Sequence, residues 1–275
     1  MKGILGFHHN GKLIIKETIS NSERIELIKS LEYLENLEVN IFLPASIIWY
    51  NIVEIINLNS WLKENATKEI SFINLNDGVI KIEISRRICN FLSSFRSYLD
   101  VTASYLSENN ETDLENEFKK CTNNLFDSNF NYRFLYKLRN YSQHFSFPIA
   151  NIYFDNSDKN KIHFELTIER DKLLKYDSWG KVKSDLLAQN AEIPILTHIN
   201  DFYQHIQTLQ NILIKNKISE IKELSKPAFL ACTKTKDMGN APILGWPKID
   251  SNGNHNLQLE TKKIPTSFLD IISKI

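Results

Sequence analysis

The stretch that most limits what this chain can become runs from Ile84 to Leu106. Ile84, Ile88, Phe91, Phe95, Leu99 and Thr102 recur every three or four residues, and Leu92 and Leu106 widen the same side. That spacing lays them along one face of a helix, so a long helix is predicted from about Asp77, covered along its length by other helices. Arg86, Arg87 and Arg96 fall mostly off the stripe, where they read as helix-stabilising charges on a solvated face. A second stripe of Leu114, Phe118, Cys121 and Leu125 follows a Thr112-x-x-Glu115 capping-box pattern. Cys121 is thereby expected in the core. A third stripe of Phe134, Leu138, Tyr141 and Phe145 belongs to a helix predicted over 130–145, with Asp127 or Ser128 as its N-cap. Pro148 stands just beyond, where a helix has already stopped.

The flanks of this helical bundle read differently. Ile4 to Phe7 and Lys12 to Lys16 surround Asn10-Gly11, a type I′ hairpin signal, with His8 and His9 as exposed residues beside the turn. Ser20-x-x-Glu23 is a capping box for a helix with Ile28, Leu31, Leu34 and Leu37 on its apolar side. Another helix is expected from Pro44 through Trp49, Val53 and Ile56 towards Trp61. The apolar run around 39–58 carries Asn40, Pro44, Asn51 and Glu54, which makes a buried helix a better expectation than a membrane span. After Pro148 the period changes. Ile162, Phe164, Leu166 and Ile168 alternate with polar residues, predicting a strand paired with 149–154 through a turn at Asn156-Ser157-Asp158. His163 falls on the polar side of that strand. Helical spacing returns over 181–190 and from His198, where Ile199, Phe202, Ile206, Leu209 and Leu213 align and Thr197 is a candidate cap. His198 and His205 share roughly one face, expected as surface residues in preference to metal ligands. Turn residues punctuate the remainder, at Met238-Gly239-Asn240 and Asn252-Gly253-Asn254, around a short strand at 257–259 and a final helix over 267–275.

These patterns predict an α+β fold, mainly α, with small β-hairpins at the N-terminus and in the C-terminal half. Three regions are expected: 1–75 as a hairpin and helices, 76–147 as the bundle, and 148–275 as hairpin, long helix and irregular C-terminal region, with one continuous domain as the alternative. The 275 residues suffice for a proper core. Lys and Arg together number 33, as do Asp and Glu, so any contact with nucleic acid must come from a local basic surface. Cys89, Cys121 and Cys232 form no CxxC pair, which points to a reducing, cytoplasmic setting and away from a disulfide scaffold or zinc knuckle. No signal-peptide layout and no membrane partner is expected. P-loop, GxGxxG, HExxH and GxSxG elements are absent, which disfavours NTPases, dinucleotide enzymes, zincins and serine hydrolases.

Chemistry gathers at Leu138-Arg139-Asn140-Tyr141-Ser142-Gln143-His144. A permanent cation, a carboxamide and an imidazole fall within six residues at a helix end. Arg133, Lys137, Asn140 and His144 share a face, which makes Arg133 and Lys137 candidate phosphate contacts. Histidine suits proton transfer near neutral pH, and arginine offers a charged planar fork to phosphate oxygens. Arg139 and His144 nevertheless point about 140° apart on a regular helix. Two remedies exist: distortion of the last turn, or a two-fold dimer that brings a second copy of the stretch across the axis.

This stretch resembles the signature of the HEPN superfamily (higher eukaryotes and prokaryotes nucleotide-binding domains): an arginine, a polar residue, then a histidine after a short spacer. Here the signature reads Arg139, Asn140, three intervening residues and His144. The resemblance covers Asp77 to Phe147, about a quarter of the chain. It implies a helical bundle and a metal-independent endoribonuclease of the toxin or phage-defence kind, with Arg139, Asn140 and His144 as catalytic residues and no cofactor. It also implies an RNA substrate, a homodimer with a shared cleft, and an antitoxin or regulatory protein as a further partner. The same shape occurs in non-catalytic HEPN modules that bind nucleotide, RNA or a partner protein. A plain structural role, with Arg139 and His144 merely finishing a helix, is the third alternative.

Overall fold

The computed structural model describes residues 2–9, 12–68, 70–148, 151–155, 163–235, 242–249 and 255–275. The turns expected at Asn10-Gly11, Asn156-Ser157-Asp158, Met238-Gly239-Asn240 and Asn252-Gly253-Asn254 lie wholly or largely outside the described residues, as does Ile162. The architecture is α+β and mainly α, as the periodicities imply. The chain forms two compact units, residues 1–39 with 214–275, and residues 40–213.

In the first unit, strands β1 (Gly3–His9) and β2 (Lys12–Ile19) pair antiparallel, with Gly3 opposite Ile19. Strands β6 (Pro242–Ile249) and β7 (His255–Lys263) form a second antiparallel pair. β6 docks on β1 with Ile4 opposite Gly245, giving the order β2-β1-β6-β7. The register shifts opposite Leu5 and Gly6, where Lys16 of β2 is the extra, bulged residue. A Cβ on Gly6 would sit 2.3 Å from the Ile14 carbonyl oxygen, a backbone atom that cannot swing away. Gly6→Ala is therefore expected to lower stability by about 1–3 kcal/mol, the usual cost of overpacking. An unchanged urea midpoint would refute it.

Helix α1 (Asn21–Leu37) starts with the capping box the sequence predicts. The Ser20 hydroxyl accepts from the Glu23 amide at 3.2 Å, and the Ser20 amide donates to the Glu23 carboxylate at 2.8 Å. Those bonds, led by the Ser20 amide, hold the Glu23 carboxyl below its ordinary range. Leu27, Leu31, Leu34 and Leu37 of α1 are buried, as are Ala228 and Ala231 of α9 (Lys226–Thr235) and Phe268, Leu269 and Ile272 of α10 (Thr266–Ile272). Helix α8 (Ile195–Leu224) contributes its last residues here and its first to the second unit.

A π-turn at Glu38–Phe42 separates α1 from α2 (Leu43–Lys68). Such a turn releases a carbonyl from the helical ladder. The Gln210 amide donates to the Ile41 oxygen at 2.7 Å. The run from Asn21 to Asn65 contains a stretch long and apolar enough to cross a membrane by length and composition. The buried helix expected over 39–58 requires correction, since only 22% of that stretch is buried. Ile48, Ile52, Ile55 and Leu62 face the core, whereas Leu43, Ile47, Tyr50 and Trp61 are exposed. Hydropathy fixes how apolar a helix is, but neighbours decide which sides are covered.

Helix α3 (Ile70–Glu108) is the spine of the second unit, packed against α2, α4 (Thr112–Ser128) and α5 (Phe130–His144). Its predicted stripe is buried from Ile84 through Leu106. Phe95 meets Tyr132 edge-on at 5.5 Å and Phe202 of α8 at 4.4 Å. The expected capping box at Thr112 does not form. Asn110, in the left-handed region at φ 57°, closes α3, with the Glu111 amide on the Leu106 carbonyl and the Asn110 amide on that of Ser107. This Schellman closure makes Glu111 the N-cap of α4, with no side-chain capping hydrogen bond.

Strands β3 (Asn151–Asp155) and β4 (His163–Glu169) make the predicted hairpin, with Ile152 opposite Leu166. A third strand, β5 (Glu192–Pro194), completes that sheet. Between β4 and β5 lie α6 (Arg170–Leu173), a 3₁₀ turn at Asp177–Trp179 and α7 (Val182–Leu187). Helix α8 begins at Ile195, so Thr197 lies inside it instead of capping it.

Candidate functional site

Asn129 is a hinge of one residue between α4 and α5. Its amide donates to the Leu125 carbonyl, and its Oδ1 accepts from the Tyr132 amide at 3.0 Å. It is thus the N-cap of α5, in place of Asp127 or Ser128, because α4 continues through Ser128. Phe134, Leu138 and Tyr141 are buried as predicted. Phe145 is half exposed, since the helix ends at His144 and the backbone turns away.

The buried face of α5 rests on Trp179, whose ring stacks near Tyr141 at 5.8 Å and Phe134 at 6.3 Å. The indole Nε1 donates to the Leu173 carbonyl at 2.7 Å. Tyr176 packs edge-on against both Tyr141 and Trp179. This aromatic block fixes the height and rotation of the helix end.

The exposed end carries the candidate residues. Arg139 and Asn140 are half-buried and His144 is exposed. Arg139 Nη1 donates to Asn140 Oδ1 at 3.3 Å, and the Ser142 hydroxyl donates to the Arg139 carbonyl at 2.7 Å. Arg139 Nε is buried without a hydrogen-bond partner. His144 has no side-chain hydrogen bond among the described residues, and α5 stays helical through it. The last turn is therefore not distorted. Arg139 and His144 keep their separation of about 140° around the axis, reduced only by the lean of the guanidinium towards Asn140.

Arg133 and Lys137 are engaged elsewhere. Arg133 Nε donates to Asp185 Oδ2 at 2.7 Å, and its guanidinium lies over the Phe130 ring at 5.7 Å. Lys137 Nζ approaches the Ser178 carbonyl at 3.4 Å. Both brace α5 against the segment 178–185. The structure thus joins Arg139 to Asn140, leaves His144 open to solvent, and turns the two candidate phosphate contacts towards protein partners.

Arg86, Arg87 and Arg96 behave as helix charges. Arg86 and Arg87 pair with Glu83, and Arg96 with Asp100. Arg96 also donates to the Tyr136 hydroxyl at 2.6 Å. Burial pushes the Cys89, Cys121 and Cys232 thiols up, which keeps them from acting as thiolate nucleophiles.

The histidines of α8 are not surface residues as expected. His198 is buried, and His205 is half-buried against Tyr132 and Phe202. Asn131 Nδ2 donates to Asp201 at 2.8 Å, so its Oδ1 accepts from His198 Nδ1. His198 Nε2 is left without a partner, with the Phe130 and Phe134 rings edge-on to the imidazole. Desolvation lowers the pKa of both histidines, against a smaller opposing pull from Asp201. Folding therefore favours the neutral imidazoles. Their stabilising effect is intact above the unfolded value of about 6.5 and is lost as pH falls towards the depressed folded value. The melting temperature is expected to drop between about pH 7 and pH 5, and to drop less in His198→Gln. Parallel pH profiles for the two proteins would remove His198 from this account. Among the described residues, no three His, Cys, Asp or Glu side chains gather as a metal set.

Sequence reasoning missed one feature beside the candidate residues. A groove of about 590 Å³ runs along α3 from Gly78 to Asn90 and is closed by Phe147, three residues beyond His144. Phe147 lay in an apparently irregular tail, with no periodicity to assign it a neighbour. Comparison with protein-family models, with curated proteins and with solved structures returned no match.

Proposed function

We propose that the protein is a metal-independent endoribonuclease of the HEPN type, a toxin or phage-defence nuclease acting in the cytoplasm as a homodimer. The observation that carries this reading is the end of α5, where a guanidinium tied to a carboxamide shares a helix end with an exposed imidazole that has no hydrogen-bond partner among the described residues. His144, as general base, takes the proton of a ribose 2′-hydroxyl as that oxygen attacks phosphorus. The P–O5′ bond breaks, and the departing 5′-oxygen receives a proton from a second, protonated imidazole. Arg139 neutralises the extra charge on the pentacoordinate phosphorus, and Asn140 holds the guanidinium in place. The products are a 2′,3′-cyclic phosphate and a 5′-hydroxyl end.

One chain supplies one His144, and its undistorted helix keeps Arg139 from converging on the same phosphate. A second copy across a two-fold axis provides both the missing acid and a facing arginine. The test is incubation of single-stranded RNA with pure protein in EDTA, with cyclic-phosphate ends read by mass spectrometry. Cleavage is expected in the chelator. RNA left intact, or full activity in a protein that sediments as a monomer, overturns the reading.

A further inference from the structure

The groove along α3 has a composition that selects its occupant. Ile82 and Phe147 are each 66% exposed, a heavy apolar load for side chains with no cover. Lys81 and Arg86 stand with them, and no carboxylate is among the described lining residues. Ser85 and Asn90 add a hydroxyl and an amide, able to donate and accept. Its volume falls within the roughly 300–1,000 Å³ of small-molecule sites. Three residues span at most about 10 Å of chain, so an occupant lying on Phe147 is close to His144.

A flat apolar face, polar edges and an anionic link describe a nucleotide. We propose that the groove receives the base adjoining the cleaved linkage of a single-stranded RNA, stacked on Phe147, with Lys81 and Arg86 on its backbone phosphate. The proposal rests on the reading of the α5 end as an RNA-cleaving site and names the form of RNA that site accepts. An unpaired base is required, because a base inside a duplex hides both faces in the stack. Arg86 is paired with Glu83 at 3.0 Å, with both side chains well exposed, and such pairs are weak enough to yield to a phosphate. A second copy of the chain is a poorer occupant. An isologous contact centred here would set Lys81 and Arg86 against themselves.

Binding of a short, fluorescein-labelled 2′-O-methyl oligoribonucleotide, single-stranded and resistant to cleavage, tests the proposal by anisotropy. Phe147→Ala is expected to weaken binding about tenfold, and Phe147→Trp to retain it. Arg86→Gln is expected to lower the slope of log affinity against log salt by about one. The same sequence as a duplex should compete poorly. Equal affinities for wild type and Phe147→Ala overturn the groove, as does a Phe147→Ala protein of reduced assembly mass, which would mark a contact between copies. Phe147-dependent binding without cleavage of ordinary RNA sinks the nuclease reading and leaves the groove standing. Cleavage whose KM is indifferent to Phe147→Ala does the reverse, and absence of any binding sinks both.

Discussion

His144→Ala is expected to slow RNA cleavage in EDTA by ~10²–10⁴-fold, the range contributed by a positioned general acid or base. The melting temperature should stay where it is, because the imidazole is exposed and holds no partner among the described residues. That pairing of a large kinetic loss with an unmoved stability separates chemistry from architecture. Arg139→Ala should also abolish cleavage but with some loss of stability, since this side chain is half-buried and bonded to Asn140. Arg139→Lys should not restore the rate, because an ammonium cannot present a planar fork to phosphate oxygens. Mixing wild type with the His144→Ala protein offers a sharper check. In a cleft shared by two chains that needs both imidazoles, the mixed dimer lacks one of them, so activity should fall faster than the wild-type share of the mixture. An active His144→Ala protein, or a mixture whose activity simply tracks its wild-type share, would refute the assignment.

The second large effect is structural. Trp179→Ala is expected to cost about 3–5 kcal/mol, as removal of a fully buried indole leaves a void its neighbours cannot fill. The indole is fully buried, and the Leu173 carbonyl loses its donor with it. Phe134 and Tyr141 lose the surface on which the buried face of α5 rests. The urea midpoint should fall steeply with little change in slope. Activity should fall as well, because the rotation of α5 sets where Arg139 and His144 point. A midpoint shift worth under about 1 kcal/mol would show that the aromatic block does not hold the helix.

Local pattern was enough to place much of this architecture. The 84–106 stripe is the buried face of α3, and alternation after Pro148 becomes a real antiparallel pair. The Ser20 box and the final helix also appear where spacing puts them. What pattern could not supply is partnership at a distance. Nothing near Arg133 announces Asp185, and nothing near Asn131 announces His198 and Asp201. Net neutrality likewise conceals which cations are committed. Asp127, Ser128 and Asn129 are all good caps in isolation, so local sequence does not single out the cap of α5. The choice among them depends on how far α4 runs. The groove was invisible for the same reason: one wall is a helix face and the other a single ring from a segment without period.

The pairing of β1 with β6 has a consequence for how the molecule is made. Residues 40–213 can leave the ribosome and collapse around α3 while the amino-terminal hairpin still lacks its neighbour strand. That hairpin must wait, its edge unprotected, until Pro242–Ile249 has been translated. Nascent chains arrested shortly before that point should hold a protease-resistant middle between two digestible ends.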